Sequence, residues 1–443
     1  MESGGCSERR TGMYRTAGVL MAAAIVAGCG SSETAWGPVT VSPTSASASE
    51  SSSTSAPVLE ATVDALAVSQ GVVRAPVLEE APVADLVAGW NDAGFDLLRR
   101  LPVDDNVVFS PVSIGHALLM VAAAGDEPTR TAVENAFGLP AGAHDAWNSI
   151  DQAIAADQSD QVSVAIADRI WPRTGLQPDQ DWVDLLATHH GADVVPLDFA
   201  GDAGASRSTI NDWVSDRTEG LIADLLPDGF IDSSTVLVLT DTVYFAADWQ
   251  LPFGKYDAVD DEFTTIDGTA VDVSFMRQLE LGDRRGEGDG FVGAEIPYAG
   301  GDYSMLVLVP DEGRFDEFVD GLDQDLLDEI DATFTTGPYE LLLPKWDDKY
   351  SFDLLAWLSE IGAAPRSFPA ISPDASLDAA VHAADISVDE QGTVAAATTG
   401  LGFAVSGPLE PELTVAADQP FIYLIRHRTT GLVMFAGHVT DPT

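Results

Sequence analysis

Seven histidines (His116, His144, His189, His190, His382, His427 and His438) and two cysteines (Cys6 and Cys29) are the side chains of this 443-residue chain best suited to proton-transfer, nucleophilic or metal chemistry. They fall into no catalytic pattern. There is no H-E-x-x-H, no G-x-S-x-G, no G-x-x-x-x-G-K-[ST] phosphate loop and no G-x-G-x-x-G opening a helix. The adjacent pair His189-His190 comes nearest to a metal-ligand spacing. No second ligand cluster accompanies it, and it reads as an exposed helix end. A Ser/His/Asp triad assembles in space, so spacing does not decide it, and no local signature supports one. The expectation is a protein with no metal, no cofactor and no catalysis of its own.

The segment of most unusual composition is "SVDEQGTVAAATTGLGFAVSGPLEPEL", residues 387–413. Acidic residues come first, then a glycine, then residues with almost nothing on Cβ. From 391 to 409 there is no charge, in a chain with 71 Asp+Glu against 21 Lys+Arg. Thr393, Val394, Thr398, Thr399 and the glycines count against a helix. Alanine and glycine are poor strand residues. The segment suits neither state well.

The formal charge of −50 argues against nucleic acid or an anionic membrane surface as a partner, because both require a basic surface. It suits a soluble surface in a salty or variable medium, or equally reflects a compositional bias of the source genome. Hydrophobic residues at 46% support a sizeable core. The N-terminus reads as a targeting segment: Arg9, Arg10 and Arg15 precede the apolar run "TAGVLMAAAIVAG", 16–28, which falls short of the roughly 20 residues needed to span a bilayer. The run ends in "VAGC", Val26 to Cys29, which resembles a bacterial lipobox. The expected product is a lipoprotein cut before Cys29, lipidated on that thiol and held on the outer face of the cell membrane. Cys6 would be lost, leaving no partner for a disulfide, so stability must come from the core.

Residues 1–28 are thus read as a signal peptide and 29–81 as the lipidated Cys plus a flexible Ser/Thr/Pro/Ala-rich tether. "APVLE" occurs twice, at 56–60 and 75–79, as a weak linker repeat. A globular domain is expected over 82–443. "VADLVAGWNDAGFDLLRRL" has helical spacing; "NVVFSPVSIGHALLMVAAAG" reads as a short strand, then a helix opened by Ser110-Pro111. "VSVAIADRIW", "TVLVLTDTVYFAADW", "DYSMLVLVP" and "YELLLPKW" read as strands, and "PFIYLIRHRTTGLVMFAGHV" as an apolar hairpin. Strands and helices mix without βαβ spacing, which points to an α+β fold with mostly antiparallel sheets.

"NVVFSPVSIGHALLMVAAAG", "INDWVSDRTEGLIADLL", "LVLTDTVYFAADWQLPF", "LLLPKW", "VDEQGTVAAATT" and "QPFIYLIRHRTTGLVMFAGHV" stand in the order found in serpins. The chain resembles that family from about 82 to its end. The resemblance implies three mostly antiparallel β-sheets, eight to nine helices and an exposed reactive loop near the C-terminus, here about 390–415. It also implies suicide inhibition of serine proteases, and of cysteine proteases in some members. In that mechanism the protease cuts the loop, which inserts as a strand into the main sheet while the enzyme is still acyl-linked. A segment that must be loop in one state and strand in another should favour neither strongly, which is how 387–413 is composed. The alternative is a non-inhibitory serpin-fold surface module, which a charged or bulky hinge would favour; this hinge is neither.

The family pattern assigns residues one by one. Glu390, Gly392, Thr393, Ala395, Ala396 and Ala397 match the hinge, where Gly392 is expected to supply φ/ψ freedom. Thr393, Ala395, Ala397, Thr399, Leu401 and Phe403 should face inward on insertion. Ser110, Ser113, Asp241 and His382 match the shutter, the polar network beneath the sheet centre. The family usually has Asn where this chain has Asp241, so Asp241 is expected to pair with a protonated His382, or else the register shifts by one. Trp249 and Lys345 match the breach, where Lys345 and Glu390 should form an ion pair. Counting fifteen residues from Gly392 places the scissile bond at Ser406–Gly407, with Phe403, Val405 and Leu409 as competitors. No Lys or Arg lies between Thr393 and Pro420, so subtilisin-, elastase- or chymotrypsin-like enzymes are expected rather than trypsin-like ones. The stretch 141–160 has no Lys or Arg, so no heparin-like cofactor is expected. The expected form is a monomer.

Overall fold

The computed structural model describes residues 19–28 and 73–443, apart from 219, 221, 255–256, 281–283, 374 and 394–410. Its helices are α1 (Val83–Leu98), α2 (Pro111–Ala124), α3 (Glu127–Ala136), α4 (Ala143–Ala156), α5 (Gln180–His189), α6 (Ala203–Arg217), α7 (Phe315–Gly321), α8 (Gln324–Thr333) and α9 (Leu354–Glu360). Its strands are β1 (Val19–Gly28), β2 (Val107–Phe109), β3 (Val162–Pro172), β4 (Asp193–Val194), β5 (Thr235–Asp248), β6 (Val259–Thr264), β7 (Ala270–Glu280), β8 (Arg284–Gly288) and β9 (Phe291–Pro297). They continue with β10 (Tyr303–Pro310), β11 (Thr335–Thr336), β12 (Tyr339–Pro344), β13 (Trp346–Asp353), β14 (Ser376–Val388), β15 (Gly392–Thr393), β16 (Leu413–Ala416), β17 (Phe421–His427) and β18 (Leu432–Val439).

The strands form three sheets. The central one runs β13, β14, then a slot shared by β15 and β1, then β5, β3 and β4. The second runs β11-β8-β9-β10-β17-β18-β2, and the third β16-β12-β7-β6. Between named strands only β12–β16 and β3–β4 are parallel among the described residues. The α+β expectation therefore stands, with three sheets and, among the described residues, nine helices.

Local chemistry explains the main elements. α2 is apolar nearly all round, and such a helix must be buried; it packs between β18 of the second sheet and β5 of the central one. Ser110 begins it by accepting a hydrogen bond from the Ser113 N–H at 3.1 Å, and Pro111 follows in the first turn, where no donor is missed. β17 and β18 are buried along their whole length, and Gly431 at φ 77° turns the hairpin between them. The docked chain begins ahead of 82. Arg74 Nε donates to Asn148 Oδ1 at 2.7 Å, its guanidinium meets Asp151, and the Ala75 N–H donates to the Thr188 carbonyl.

The apolar run near the N-terminus, read from the sequence as a leader, forms the strand β1 inside the central sheet. It pairs antiparallel with β14 on one side and β5 on the other. Among the described residues no helix is long and apolar enough to cross a membrane.

Candidate functional site

The site is the slot between β5 and β14, with its entrance at β15 and its floor on α2. At the entrance Gly392 stands opposite Asp248, and Thr393 opposite Ala247 on β5 and Val388 on β14. Thr393 is fully buried, and its hydroxyl lies 2.6 Å from Tyr298 Oη. A Cβ on Gly392 would fall 2.1 Å from the Ala247 carbonyl oxygen and 2.9 Å from Asp248 Cα, while its φ lies outside the left-handed region. In this arrangement glycine is required by the close approach of the backbones.

Trp249 closes the entrance. Its Nε1 donates to the Asp389 carbonyl at 3.0 Å, its N–H to the Gln391 carbonyl at 2.8 Å, and its ring stacks on Tyr298 at 4.5 Å between centroids. Burial pushes the Tyr298 phenol well above its usual range, so it stays a neutral partner for Thr393. Lys345 Nζ reaches Glu390 Oε1 at 3.1 Å. Both side chains see water, so the pair contributes under about 1 kcal/mol. Its value is in direction: it ties the residue before the hinge to the end of β12.

The centre departs from expectation. Asp241 does not meet His382. Its Oδ1 accepts from Ser113 Oγ at 2.7 Å and its Oδ2 lies 2.7 Å from His116 Nδ1, all three residues being fully buried. Ser113 and His116 are three residues apart on α2, so both donors leave the same helix face toward β5. His382, on β14, instead accepts from the Ser110 N–H through Nε2 at 3.2 Å. Burial pushes its pKa down to about 3, so it stays neutral and its Nδ1 is left without a partner. The pair His189-His190 is also corrected: His190 is buried, and its two ring nitrogens lie 2.8 Å from His116 Nε2 and 2.8 Å from His144 Nδ1.

β1 fills the rest of the slot in a telling register. Extending β15 downward in its observed register would set residue 395 opposite Phe245 and residue 396 opposite Asp385. Val19 takes the first of these places and Leu20 the second. Residues 19–27 thus hold the positions that 395–403 would hold against β5, and the register slips only at Gly28.

The slot therefore brings together Ser110, Ser113, Asp241, His382, Trp249, Lys345, Glu390, Gly392 and Thr393. Ala395, Ala396, Ala397, Ser406, Gly407 and Cys29 lie outside the described residues. Sequence reasoning missed Tyr298, His116 and His144. The signal available was His116 itself, one helical turn after Ser113 in a helix otherwise too apolar to hold an unpaired imidazole. No group of three or more His, Cys, Asp or Glu side chains suited to a metal ion occurs among the described residues.

Comparison with known proteins agrees with this architecture. The family model described as Serpin (serine protease inhibitor) matches residues 88–442. A serpin-like protein of Methanosarcina acetivorans is 30% identical over 370 residues, covering 81% of this chain and 86% of its own. Serpin-Z1 of Arabidopsis thaliana is 31% identical over 397 residues, covering 84% and 96%. The crystal structure of the thermophilic serpin tengpin in its native state superposes with a TM-score of 0.70 at 24% identity, over 84% of this chain and 96% of that one, a likeness of fold. With the family model spanning the globular region and a central sheet whose slot between β5 and β14 holds a further strand, the chain belongs to the serpin family.

Proposed function

We propose that the protein is a suicide inhibitor of serine proteases, held outside the cell by a lipid on Cys29. Its loop is cut at Ser406–Gly407, and residues 394 onward then enter the slot as a strand. The observation that carries this reading is the register of β1: the central sheet accommodates an added antiparallel strand in line with Gly392-Thr393. Some ten to fourteen new strand residues, at about 1 kcal/mol net per hydrogen bond, give on the order of 10–15 kcal/mol. That equals the stability of a typical domain, about 5–15 kcal/mol, and is enough to distort a tethered protease.

The same register supports a role for processing. The slot holds one strand at a time, and β1 ends at Gly28, next to Cys29. A cut before Cys29 detaches the occupant and opens the slot to the loop. Maturation and arming are then one event. The test compares chain 1–443 with chain 29–443 against subtilisin, elastase, chymotrypsin and trypsin on denaturing gels, followed by sequencing of the released C-terminal peptide. The processed chain should form a denaturant-resistant complex with the first three enzymes and release a peptide beginning at Gly407; the unprocessed chain should be cut without trapping. A peptide beginning at Ala404 or Glu410 moves the bond. Trapping of trypsin alone, or equal trapping by both chains, contradicts the reading.

A further inference from the structure

Arg74 is the one Lys or Arg between Arg15 and Arg99, so the tether 29–81 carries a single basic residue. The fold has a place built for it. A helix end leaves its last carbonyls without partners inside the helix, and at the end of α5 the tether supplies the missing donors. The Ala75 N–H donates to the Thr188 carbonyl at 2.9 Å, and Arg74 Nη2 donates to the His189 carbonyl at 3.0 Å. A cation in this position is also favoured by the helix macrodipole. α4 forms the other wall: Arg74 Nε donates to Asn148 Oδ1 at 2.7 Å, and the guanidinium meets Asp151.

Asn148 is fully buried, and both ends of its amide serve this contact. Its Nδ2 donates to the Ala75 and Pro76 carbonyls at 3.1 and 3.3 Å. Its Oδ1 accepts from Arg74 and from Gln152 Nε2, which also reaches the Ala75 carbonyl at 3.1 Å. Gly191, at φ 66°, leaves the room that Arg74 needs, since a Cβ there would collide with Arg74 Nη1. The hold is short. Val73 before it, and Val77 and Leu78 after it, are exposed.

We infer that Arg74–Ala75 is a conditional processing site for trypsin-like proteases, kept closed by the docking of residues 74–76 on α4 and α5. A trypsin-like enzyme must seat the basic side chain on a carboxylate in its own pocket. The Arg74 guanidinium cannot occupy that pocket while it is held by Asn148, Asp151 and the His189 carbonyl. The N–H and carbonyl of Ala75, on the other side of the bond, are engaged as well. Cleavage therefore waits for local undocking, and its rate follows the undocked population. The step is hydrolysis: water adds across the Arg74–Ala75 peptide bond, leaving a carboxylate on Arg74 and an amino group on Ala75. Its consequence rests on the anchoring reading, in which the tether alone joins the lipid on Cys29 to the body, so that the cut frees residues 75–443. With no Lys or Arg between Thr393 and Pro420, a trypsin-like enzyme then releases the inhibitor and is not trapped by it.

The test follows trypsin cleavage of the full chain by mass spectrometry, counting chains that begin at Ala75, with a peptide of residues 68–80 as the undocked reference. The bond in the folded chain should be cut about a hundredfold or more slowly than in the peptide. Asn148→Ala and Asp151→Ala should each speed cleavage at this bond by about tenfold or more, without speeding cuts within the body. Should the buried Asn148 variant not fold, Asp151→Ala at a half-buried position carries the test. Arg74→Lys, which stays cleavable but loses the forked contact, should also be cut faster than the wild type. Wild-type cleavage at the rate of the peptide, or folded variants protected as well as the wild type, overturns the inference. Trypsin treatment of cells carrying the protein separates the two readings. A body cut at Arg74–Ala75 that stays on the cell contradicts the anchoring reading alone; a body shed with a different N-terminus counts against the site.

Discussion

Thr393 shows how much a single position is asked to do. It is fully buried, hydrogen-bonded to Tyr298, and set where β15 meets β5 and β14. Thr393→Arg would bring an unpaired cation into that place, at a cost of several kcal/mol. The expected outcome is a chain that proteases cut without being trapped, read as a stoichiometry of inhibition that rises at least severalfold; unchanged stoichiometry would count against insertion. The inward placement of Thr393 was legible because the family pattern sets the phase and strand alternation carries it along the segment. Gly392 was legible as a residue that must be glycine, and a further reason was not: only three dimensions place the Ala247 carbonyl where its Cβ would be. Asp241 was legible as a departure from the family pattern, and its partner was not. His116 is 125 residues away in sequence, and no spacing rule joins α2 to β5.

At the scale of elements, the strongly periodic or wholly apolar segments were legible: α1, α2, β5 and the β17–β18 hairpin formed where the sequence placed them. What was not legible is pairing order, because strand register depends on partners far along the chain. β14 illustrates the consequence. Asp385 lies on this strand beside the slot, its side chain only 6% exposed, with Lys349 meeting one oxygen and the other without a partner. Burial pushes its carboxyl up to about 6, and Asp347 and Asp348 add to the effect. A carboxyl raised above its unfolded value favours the fold below about pH 4, and this is lost as pH rises through 6. Near pH 7.5 the ionised group costs on the order of 3 kcal/mol. Asp385→Asn should therefore raise the thermal midpoint at pH 7.5 by several degrees and leave it nearly unchanged at pH 4. Equal shifts at both pH values would show that the charge is not the cause.

At the scale of the molecule, six motifs in order made the family legible, because a family is fixed by the sequence of elements rather than by any one contact. The occupant of the slot was not legible. The run 16–28 was read for its likeness to a leader, and an uncharged stretch of small and apolar residues also suits a strand between β5 and β14. Segments 19–28 and 394–403 are alike in this respect. On the proposed mechanism the chain freed of residues 1–28 is metastable until its loop is cut, kept from its lowest state by a kinetic barrier. The most direct measurement follows hydrogen exchange of residues 394–403 and the thermal midpoint in chain 29–443, before and after the loop is cut by a protease that releases it. If the loop becomes the missing strand, those amides change from fast exchange to the protection of β5 and β14, and the midpoint rises by roughly 13 °C for a gain of about 10 kcal/mol. If the cut loop exchanges as fast as before and the midpoint does not move, the chain does not trap proteases by strand insertion.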